Sequence, residues 1–185
     1  MKTKIIIAAL AVALGACGES AELTEARETV RARAAVIEAE AAAAVRNQQW
    51  SYNVSKDEMR GTETKTATIH SINDVNVSWP YTRRPMRLTL RKQATDGFNV
   101  FLVIEGQFVC RSYNGDMMSV KFDDGPIEKY GCNEAGNGAS EAVFIGSKNK
   151  FLTKLKAAQR VTIEVPVYDA GLQQLTFNVA GLDWS

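Results

Sequence analysis

Histidine, cysteine and proline are scarce in this chain of 185 residues, and the scarcity excludes several kinds of site. The single histidine, His70, cannot build a zinc site based on histidine, and we interpret it as a structural or surface residue. The run Asp123-Asp124-Gly125 lacks the alternating oxygen ligands of a calcium loop and is better explained as an Asx-type turn. The sequence contains no Gly-x-Ser-x-Gly elbow, phosphate loop or dinucleotide fingerprint. We therefore expect no enzyme, no metal and no cofactor, with a hydrolase as the less favoured alternative.

An excess of one charge is also missing. The 22 basic and 21 acidic residues leave a formal net charge of +1, so no bulk field favours nucleic acid. After the first twenty residues no apolar run is long enough to span a bilayer, and the most apolar one, Phe98 to Ile104, has the length of a strand. The 45% of hydrophobic residues nevertheless predicts a packed core rather than a disordered chain.

The beginning of the chain has the layout of a secretory signal. Lys2 and Lys4 precede an apolar run from Ile5 to Leu14, and the small residues of the run Leu14 to Cys17 follow it. This run, LGAC, resembles a bacterial lipobox. The resemblance implies a signal peptide at 1–16, cleavage before Cys17 and acylation of that cysteine, so that several acyl chains anchor the protein to a lipid bilayer. Gly18 stands where an aspartate retains lipoproteins in the inner membrane, which implies an outer-membrane protein facing the periplasm.

Lipidation of Cys17 would leave two cysteines, Cys110 and Cys132. An even number of thiols in an oxidising compartment favours a disulfide between them. The closed loop of about 20 residues would contribute roughly 3 kcal/mol to stability by the chain-entropy treatment. The alternative is a pair of buried free thiols.

Residues 17–49 form a second region, the lipidated N-terminus and an arm rich in Ala, Glu and Arg. Because Gly and Pro are absent from residues 20–49, this stretch is predicted to be a long helix. Leu23, Val30 and Ile37 recur every seven residues, but Arg33 interrupts the second apolar position of a coiled coil. The favoured interpretation is a solvated helical spacer. The alternative is a coiled coil that makes a homo-oligomer through residues 21–48.

Residues 50–185 are predicted to form a mainly β domain, an antiparallel sandwich or barrel with one short helix. Short alternating segments separated by turn residues every 8 to 12 positions favour this fold class. We predict a strand from Val75 to Trp79 stopped by Pro80, and another over Gly106 to Tyr113 that returns through an Asn114-Gly115 hairpin. A helix is predicted around Phe151 to Ala158, where the apolar period changes to that of a helix.

Several short motifs of the β domain occur together in one known group of proteins. They are Trp50, the turn Asp57-Glu58-Met59, Pro80-Tyr81, the run Leu88 to Arg91, Gly106-Gln107-Phe108, Cys110 and Phe122-Asp123-Asp124. By these residues the domain resembles a group of small exported β-sandwich lipoproteins of bacteria, mostly uncharacterised. The resemblance covers Trp50 to Trp184. It implies the fold and a periplasmic location and transfers no catalytic residue. The C-terminal run Phe177 to Leu182 more distantly resembles the ending of the TagO/VasI accessory proteins of type VI secretion.

A basic cluster beside two aromatic residues is the least ordinary surface feature. Arginine next to exposed aromatic residues is typical of protein interaction sites, and guanidinium groups suit an acidic partner or an anionic cell-wall polymer. The alternatives are a charged edge strand protected against aggregation and aromatic residues that close the end of a sandwich. The candidate partner-binding residues are Trp79, Tyr81, Arg83, Arg84, Arg87 and Arg91, with Lys92 beside them.

The sequence as a whole predicts a periplasmic lipoprotein that acts as a non-catalytic binding or accessory module for a protein or cell-wall component of the envelope. An inhibitor or exclusion factor against a cell-wall enzyme or a phage component is the alternative. Nucleic acid is not expected as a partner.

Overall fold

The structure is a computed structural model, which describes residues 27–36, 50–77 and 79–185. The chain divides into two units, Met1–Ala42 and Ala43–Ser185. In the first unit residues 27–36 form a helix, α1, in which every residue is exposed. The predicted signal peptide, Cys17 with its predicted acylation, and the remainder of the predicted arm with its coiled-coil alternative lie outside the described residues. Nowhere in the described parts is there a helix with the length and apolarity needed to cross a membrane.

The second unit is mainly β, as the alternating pattern predicted. A ten-residue helix, α2 (Lys148–Ala157), and a 3-10 turn at Ser112–Asn114 complete its described elements. The nine strands are β1 (Ser51–Lys56), β2 (Glu63–Val75), β3 (Arg84–Gln93), β4 (Gly97–Val103), β5 (Met117–Phe122), β6 (Ile127–Glu134), β7 (Ala142–Ile145), β8 (Arg160–Val167) and β9 (Gly171–Asn178).

The nine strands make one sheet in the order β1-β2-β3-β4-β7-β6-β5-β8-β9, and every pair is antiparallel. Side-chain hydrogen bonds also join β2 to β9. The Asn73 amide donates to the Gln174 carbonyl at 2.8 Å, and the Asn73 Oδ1 accepts from the Thr176 N–H at 2.9 Å. The side chain of one residue thus supplies hydrogen bonds between β9, the last strand in the sheet order, and β2, the second.

Alternation along the strands creates the core. Met86, Leu88 and Leu90 of β3 are fully buried, and the helix α2 adds Phe151 and Leu155. The first and last segments of the β domain also meet. Trp50 is buried, and its indole N–H donates to the Val179 carbonyl at 3.1 Å.

Cys110 and Cys132 are joined by a disulfide, as predicted, with their Cα atoms 5.8 Å apart. Both cysteines are buried. The bond ties the irregular segment after β4 to strand β6. A segment with little secondary structure of its own is therefore attached covalently to the sheet.

The strand predicted from Val75 to Trp79 is wrong. Strand β2 continues past the Asn73-Asp74 pair to Val75, because a register shift between His70 and Asp74 absorbs the irregularity. The Ser71 hydroxyl accepts the Met86 N–H at 2.8 Å inside this shift, so the backbone donor stays satisfied. Trp79 instead lies in a turn and precedes a cis bond to Pro80.

The strand predicted from Gly106 to Tyr113 is also wrong. Its backbone makes scattered hydrogen bonds to several partners, among them Phe108 N–H to Ser140 and Val109 N–H to Pro166, and only one isolated bridge, between Phe108 and Val167. A β-strand needs a continuous series of hydrogen bonds to a neighbouring strand, and a backbone whose groups bond to several separate segments does not form one. The Asn114-Gly115 turn consequently leads into β5 without closing a two-stranded hairpin.

Candidate binding site

The loop between β2 and β3 exposes a large aromatic side chain. Trp79 is 92% exposed, although tryptophan is usually well buried and dominates the energetics of the surfaces it contacts. The loop leaves the sheet at Val75 and re-enters it at Arg84. The chain thus places Trp79 outward at the end of two core strands.

Beside Trp79 lies a cavity of about 240 Å³, which we call the aromatic groove. Tyr168, 65% exposed, and Tyr81, 42% exposed, border it with Trp79. The Tyr168 N–H donates to the Gln107 carbonyl at 2.8 Å, which holds the β8–β9 turn against the segment after β4. The lining residues are Val77, Trp79, Pro80, Tyr81, Gly106, Gln107, Val167, Tyr168 and Asp169.

Gly106 allows the floor of the aromatic groove to pack closely. A Cβ atom at this position would lie 3.1 Å from Val77 Cγ1 and 3.2 Å from Ile104 Cδ1. These separations are tighter than ordinary van der Waals contact, so a side chain here would push Val77 or Ile104 aside. Glycine therefore lets the segment 104–107 pack closely against Val77 of the loop that carries Trp79.

A second depression of about 480 Å³, the arginine groove, lies where the same loop enters β3. Arg84 forms an ion pair with Glu105 at 3.2 Å, and its Nε donates to the Thr82 hydroxyl at 3.2 Å. Arg87 stands opposite His70 in the β2–β3 register. The lining residues are His70, Arg84, Pro85, Arg87, Val103, Ile104 and Glu105.

The charges of the arginine groove are unequally compensated. Glu105 accepts from both Arg84 and the Thr82 hydroxyl, so the charge of Arg84 is neutralised locally. Among the described residues, the side chains of Arg83 and Arg87 have no hydrogen-bond or ion-pair partner. Two exposed guanidinium groups are therefore left to attract an anionic group beside the aromatic groove.

The two grooves follow one another along the same loop, and we call them together the Trp79 site. Residues 79–81 line the aromatic groove and Arg84 and Arg87 line the arginine groove, while Gly106 of the first is next in sequence to Glu105 of the second. Of the residues predicted from sequence, Trp79 and Tyr81 therefore lie at the first groove and Arg84 and Arg87 at the second, with Arg83 in the loop between them.

Arg91 lines neither groove. Its guanidinium lies 5.2 Å from the centre of the Phe101 ring and 6.0 Å from that of Phe144, and it forms an ion pair with Asp96 at 3.6 Å. Arg91 shares a strand face with Arg87, but four residues of extended strand separate their Cα atoms by about 13 Å. Its contacts make it a packing residue of the sheet surface.

Sequence reasoning missed Tyr168, Gln107 and Glu105 and set His70 apart as structural. A signal for Tyr168 existed in the alternation of β8. Val165 and Val167 are buried, so the next residue, at the exposed turn, is expected to face outward. The segment 104–107 had no such signal, because its conformation depends on distant partners.

The groups with shifted pKa values lie outside the Trp79 site. Hydrogen bonds from Lys150 and then Lys154 lower the pKa of Glu128 to about 2. Burial, aided by the Glu128 charge, raises the pKa of Tyr130 to about 12. Hydrogen bonds from Arg60 lower the pKa of Asp57 in the β1–β2 turn. The contacts that lower the pKa values of Glu128 and Asp57 belong to local ion pairs and a turn, and the raised pKa of Tyr130 follows from its burial.

Asp123 has a structural role. It adopts φ 47°, and its Oδ1 accepts the backbone N–H groups of Gln159 and Arg160 at 3.0 and 2.8 Å. The Asp123 carboxylate therefore satisfies the backbone of a distant segment rather than making the local Asx turn expected from the sequence, and the turn itself is closed by the Gly125 N–H, which donates to the Phe122 carbonyl at 2.9 Å. In the described parts of the chain no group of three or more His, Cys, Asp or Glu residues is arranged to hold a metal ion.

Comparisons with protein-family models, curated proteins and solved structures found no match to this chain.

Proposed function

We propose that this protein is an envelope lipoprotein whose β domain binds a protein partner at the Trp79 site without catalysing a reaction. The observation that carries the proposal is the exposure of Trp79 beside a groove bordered by two further exposed aromatic residues, Tyr81 and Tyr168. Exposed aromatic clusters of this kind supply the anchors of protein interfaces.

Burial of Trp79 by a partner would contribute substantially to the free energy of binding. An aromatic side chain buries about 150–250 Å² on complete burial, which corresponds to roughly 4–6 kcal/mol at about 25 cal/mol per Å² before the costs of association. Trp79 is already held on a loop between two core strands, so part of the ordering cost is met before a partner arrives. A partner that covers Trp79 and Tyr168 would thus gain the apolar centre of an interface.

The charge of the Trp79 site indicates the nature of that partner. Arg83 and Arg87 lack acidic partners among the described residues, whereas Arg84 is paired with Glu105. An acidic segment that follows an apolar anchor fits this arrangement, because the anchor enters the aromatic groove and the carboxylates reach the guanidinium groups. The partner is therefore proposed to be an acidic protein surface in the envelope.

Site-specific photocrosslinking in the native envelope tests the proposal. A benzophenone amino acid replaces Trp79 in one variant and Met59 in a control, since Met59 is 91% exposed at the β1–β2 turn. We expect a defined crosslinked protein from position 79 and none from position 59. The same products from both positions, or no product from position 79, would contradict the proposal.

A paired charge experiment separates the arginines from general basicity. Arg83→Ser combined with Arg87→Ser should weaken crosslinking from the neighbouring position 81, because the acidic segment loses both cations. The matched control is Lys65→Ser with Lys92→Ser, an exposed cross-strand pair that removes the same charge away from the Trp79 site. Equal weakening in both double variants would show that only net charge matters.

The proposal includes anchoring through acylated Cys17 in the outer membrane, facing the periplasm. The Leu14 to Cys17 run supports it, as does the Cys110–Cys132 disulfide, because such bonds persist in oxidising compartments. Cys17→Ser should leave an unprocessed precursor without acyl label. Acyl labelling and membrane partitioning that are unchanged in this variant would refute the anchor.

We further propose that the nine-stranded sheet closes on itself as a sandwich or barrel. The hydrogen bonds of Asn73 to Gln174 and Thr176, which join β2 to β9, support this arrangement. The resemblance to exported β-sandwich lipoproteins remains a prediction from the sequence, as does the more distant one to type VI secretion accessory proteins.

A further inference from the structure

A third depression, distant in sequence from the Trp79 loop, has a different chemical character. This amide pocket has a volume of about 490 Å³ and lies where α2 follows β7. Three asparagines, two lysines and one aromatic ring line it, and no carboxylate does. The lining residues are Asn99, Asn133, Phe144, Ile145, Gly146, Ser147, Lys148, Asn149 and Lys150.

The sheet register explains why these residues meet. Asn133 of β6 pairs with Phe144 of β7, which pairs with Phe101 of β4. Asn99 precedes Phe101 by two residues and therefore lies on the same face of β4. Lys148, the first residue of α2, reaches across and donates to the Asn99 amide oxygen at 3.3 Å. Amides, an aromatic ring and an ammonium group are thus gathered on one face.

The same row of side chains continues beyond the amide pocket. Phe101 pairs with Thr89 of β3, and Thr89 pairs with Thr68 of β2. The hydroxyl oxygens of Thr68 and Thr89 are 3.5 Å apart. Thr89 is buried, so of these two residues only the half-buried Thr68 could contact an extended ligand that crosses the sheet from the pocket.

The charge around the amide pocket is positive. Glu128 forms ion pairs with both Lys150, at 2.8 Å, and Lys154, so one carboxylate serves two cations. Lys148 contacts an amide rather than a carboxylate. Among the residues that line the pocket, two are lysines and none is a carboxylate. The region is therefore complementary to an anion even though the whole chain is nearly neutral.

We infer that the amide pocket binds an acidic oligosaccharide. The asparagine amides both donate and accept, as neighbouring sugar hydroxyl groups require. The half-buried ring of Phe144 offers an apolar face to the carbon side of a sugar ring. Lys148, with Lys150, supplies the positive charge for the sugar carboxylate. This ligand and this surface are independent of the protein partner proposed for the Trp79 site.

A saccharide fits these residues better than a nucleic acid does. Binding of a phosphate backbone depends on an array of cations, and only Lys148 in the amide pocket lacks a carboxylate partner. Three amides beside two lysines match a ligand that carries both hydroxyl groups and carboxylates. Inorganic phosphate would satisfy the ammonium group but would leave the aromatic ring and most amides without contacts.

Calorimetric titration of the full chain tests the inference. The probes are tetragalacturonate and its methyl ester, which keeps the sugar rings and removes the charges. We expect the acid to bind with a Kd below about 1 mM and the ester at least about tenfold more weakly. No binding of either probe, equal binding of both, or equally strong binding of inorganic phosphate or an oligothymidylate would overturn the inference.

Variants locate the binding. Lys148→Glu and Asn133→Ala should each weaken tetragalacturonate binding, the first by about tenfold or more. The control is Lys156→Glu, an exposed change of equal charge on the same helix outside the pocket, which should change the Kd by less than about twofold. Lys148→Gln supplies a milder change, with folding checked by circular dichroism. Equal effects of the changes at 148 and 156 would refute the pocket as the site.

Discussion

The hydrogen bonds of Asn73 predict a stability effect much larger than its exposure suggests. The residue lies on the surface in β2, yet its amide donates to the Gln174 carbonyl at 2.8 Å and accepts from the Thr176 N–H at 2.9 Å. These bonds connect segments about one hundred residues apart in sequence, a distance across which chain closure is entropically costly. Asn73→Ala removes both bonds with little loss of apolar contact.

The magnitude follows from the two bonds. Each hydrogen bond contributes about 0.5–1.5 kcal/mol net, so the loss of both is expected to cost roughly 1–3 kcal/mol of unfolding free energy. For a domain of about 140 residues, roughly 3 to 4 °C of melting temperature corresponds to 1 kcal/mol, and the expected decrease is therefore about 3 to 12 °C. Asn73→Asp keeps the acceptor for Thr176 and places an anion against the Gln174 carbonyl, so it should recover little of the loss.

Urea denaturation and thermal melting followed by circular dichroism measure the effect. Asn53→Ala is the control, because Asn53 is an exposed strand asparagine whose side chain makes no hydrogen bond to the described residues, and its change should stay within about 0.5 kcal/mol. A melting temperature for Asn73→Ala equal to that of Asn53→Ala would refute the role of this amide in joining β2 to β9.

Three further predictions concern the disulfide, a charge cluster and the floor of the aromatic groove. Replacing Cys110 and Cys132 together with Ser should lower stability by roughly 3 kcal/mol, because the bond closes a loop with a sequence separation of 22; an unchanged urea midpoint would argue against a formed bond. The pKa of Glu128 is lowered to about 2, so its ion pairs stabilise the folded state fully above its ordinary pKa of 4.5 and progressively less as the pH falls toward 2. The stability difference between the natural protein and Glu128→Gln should therefore be largest near neutral pH and shrink in acid; a difference that is constant from pH 7 to pH 3 would contradict this. Gly106→Ala should displace Val77 or Ile104 and reduce crosslinking at position 79, whereas Gly136→Ala, where an added Cβ meets nothing within 4 Å, should leave it unchanged.

The β domain was predictable wherever burial alternates along a regular strand. Met86, Leu88 and Leu90 of β3 identified the inner face of that strand, and the closing hairpin of β8 and β9 followed from the same rule. Segments whose backbone is satisfied by distant partners were not predictable. Residues 106–113 read as a strand, but their hydrogen bonds go to Ser140 and Pro166, positions that no local pattern connects to them.

The Trp79 site was predictable in part for a related reason. Trp79 and Arg87 stood out by residue type, and local sequence placed both near one loop. Arg91 also shares a strand face with Arg87, but its role depends on Phe101 and Phe144 of neighbouring strands, and these pairings emerge only from the register. Tyr168 entered the site because the β8–β9 turn packs beside residue 107, a long-range contact that spacing cannot reveal.

The contact between Trp50 and Val179 has a mechanical consequence. The indole N–H holds the Val179 carbonyl at 3.1 Å, and the Tyr52 hydroxyl accepts the Asp183 N–H at 2.8 Å. A pull on the chain before residue 50 is therefore shared at once with the segment 179–183, instead of peeling β1 from β2 alone. These bonds lie where tension from a tether at the N-terminal side would enter the β domain. Every residue of the edge strand β1 is exposed, so the two bonds add to its pairing with β2 in resisting such a force.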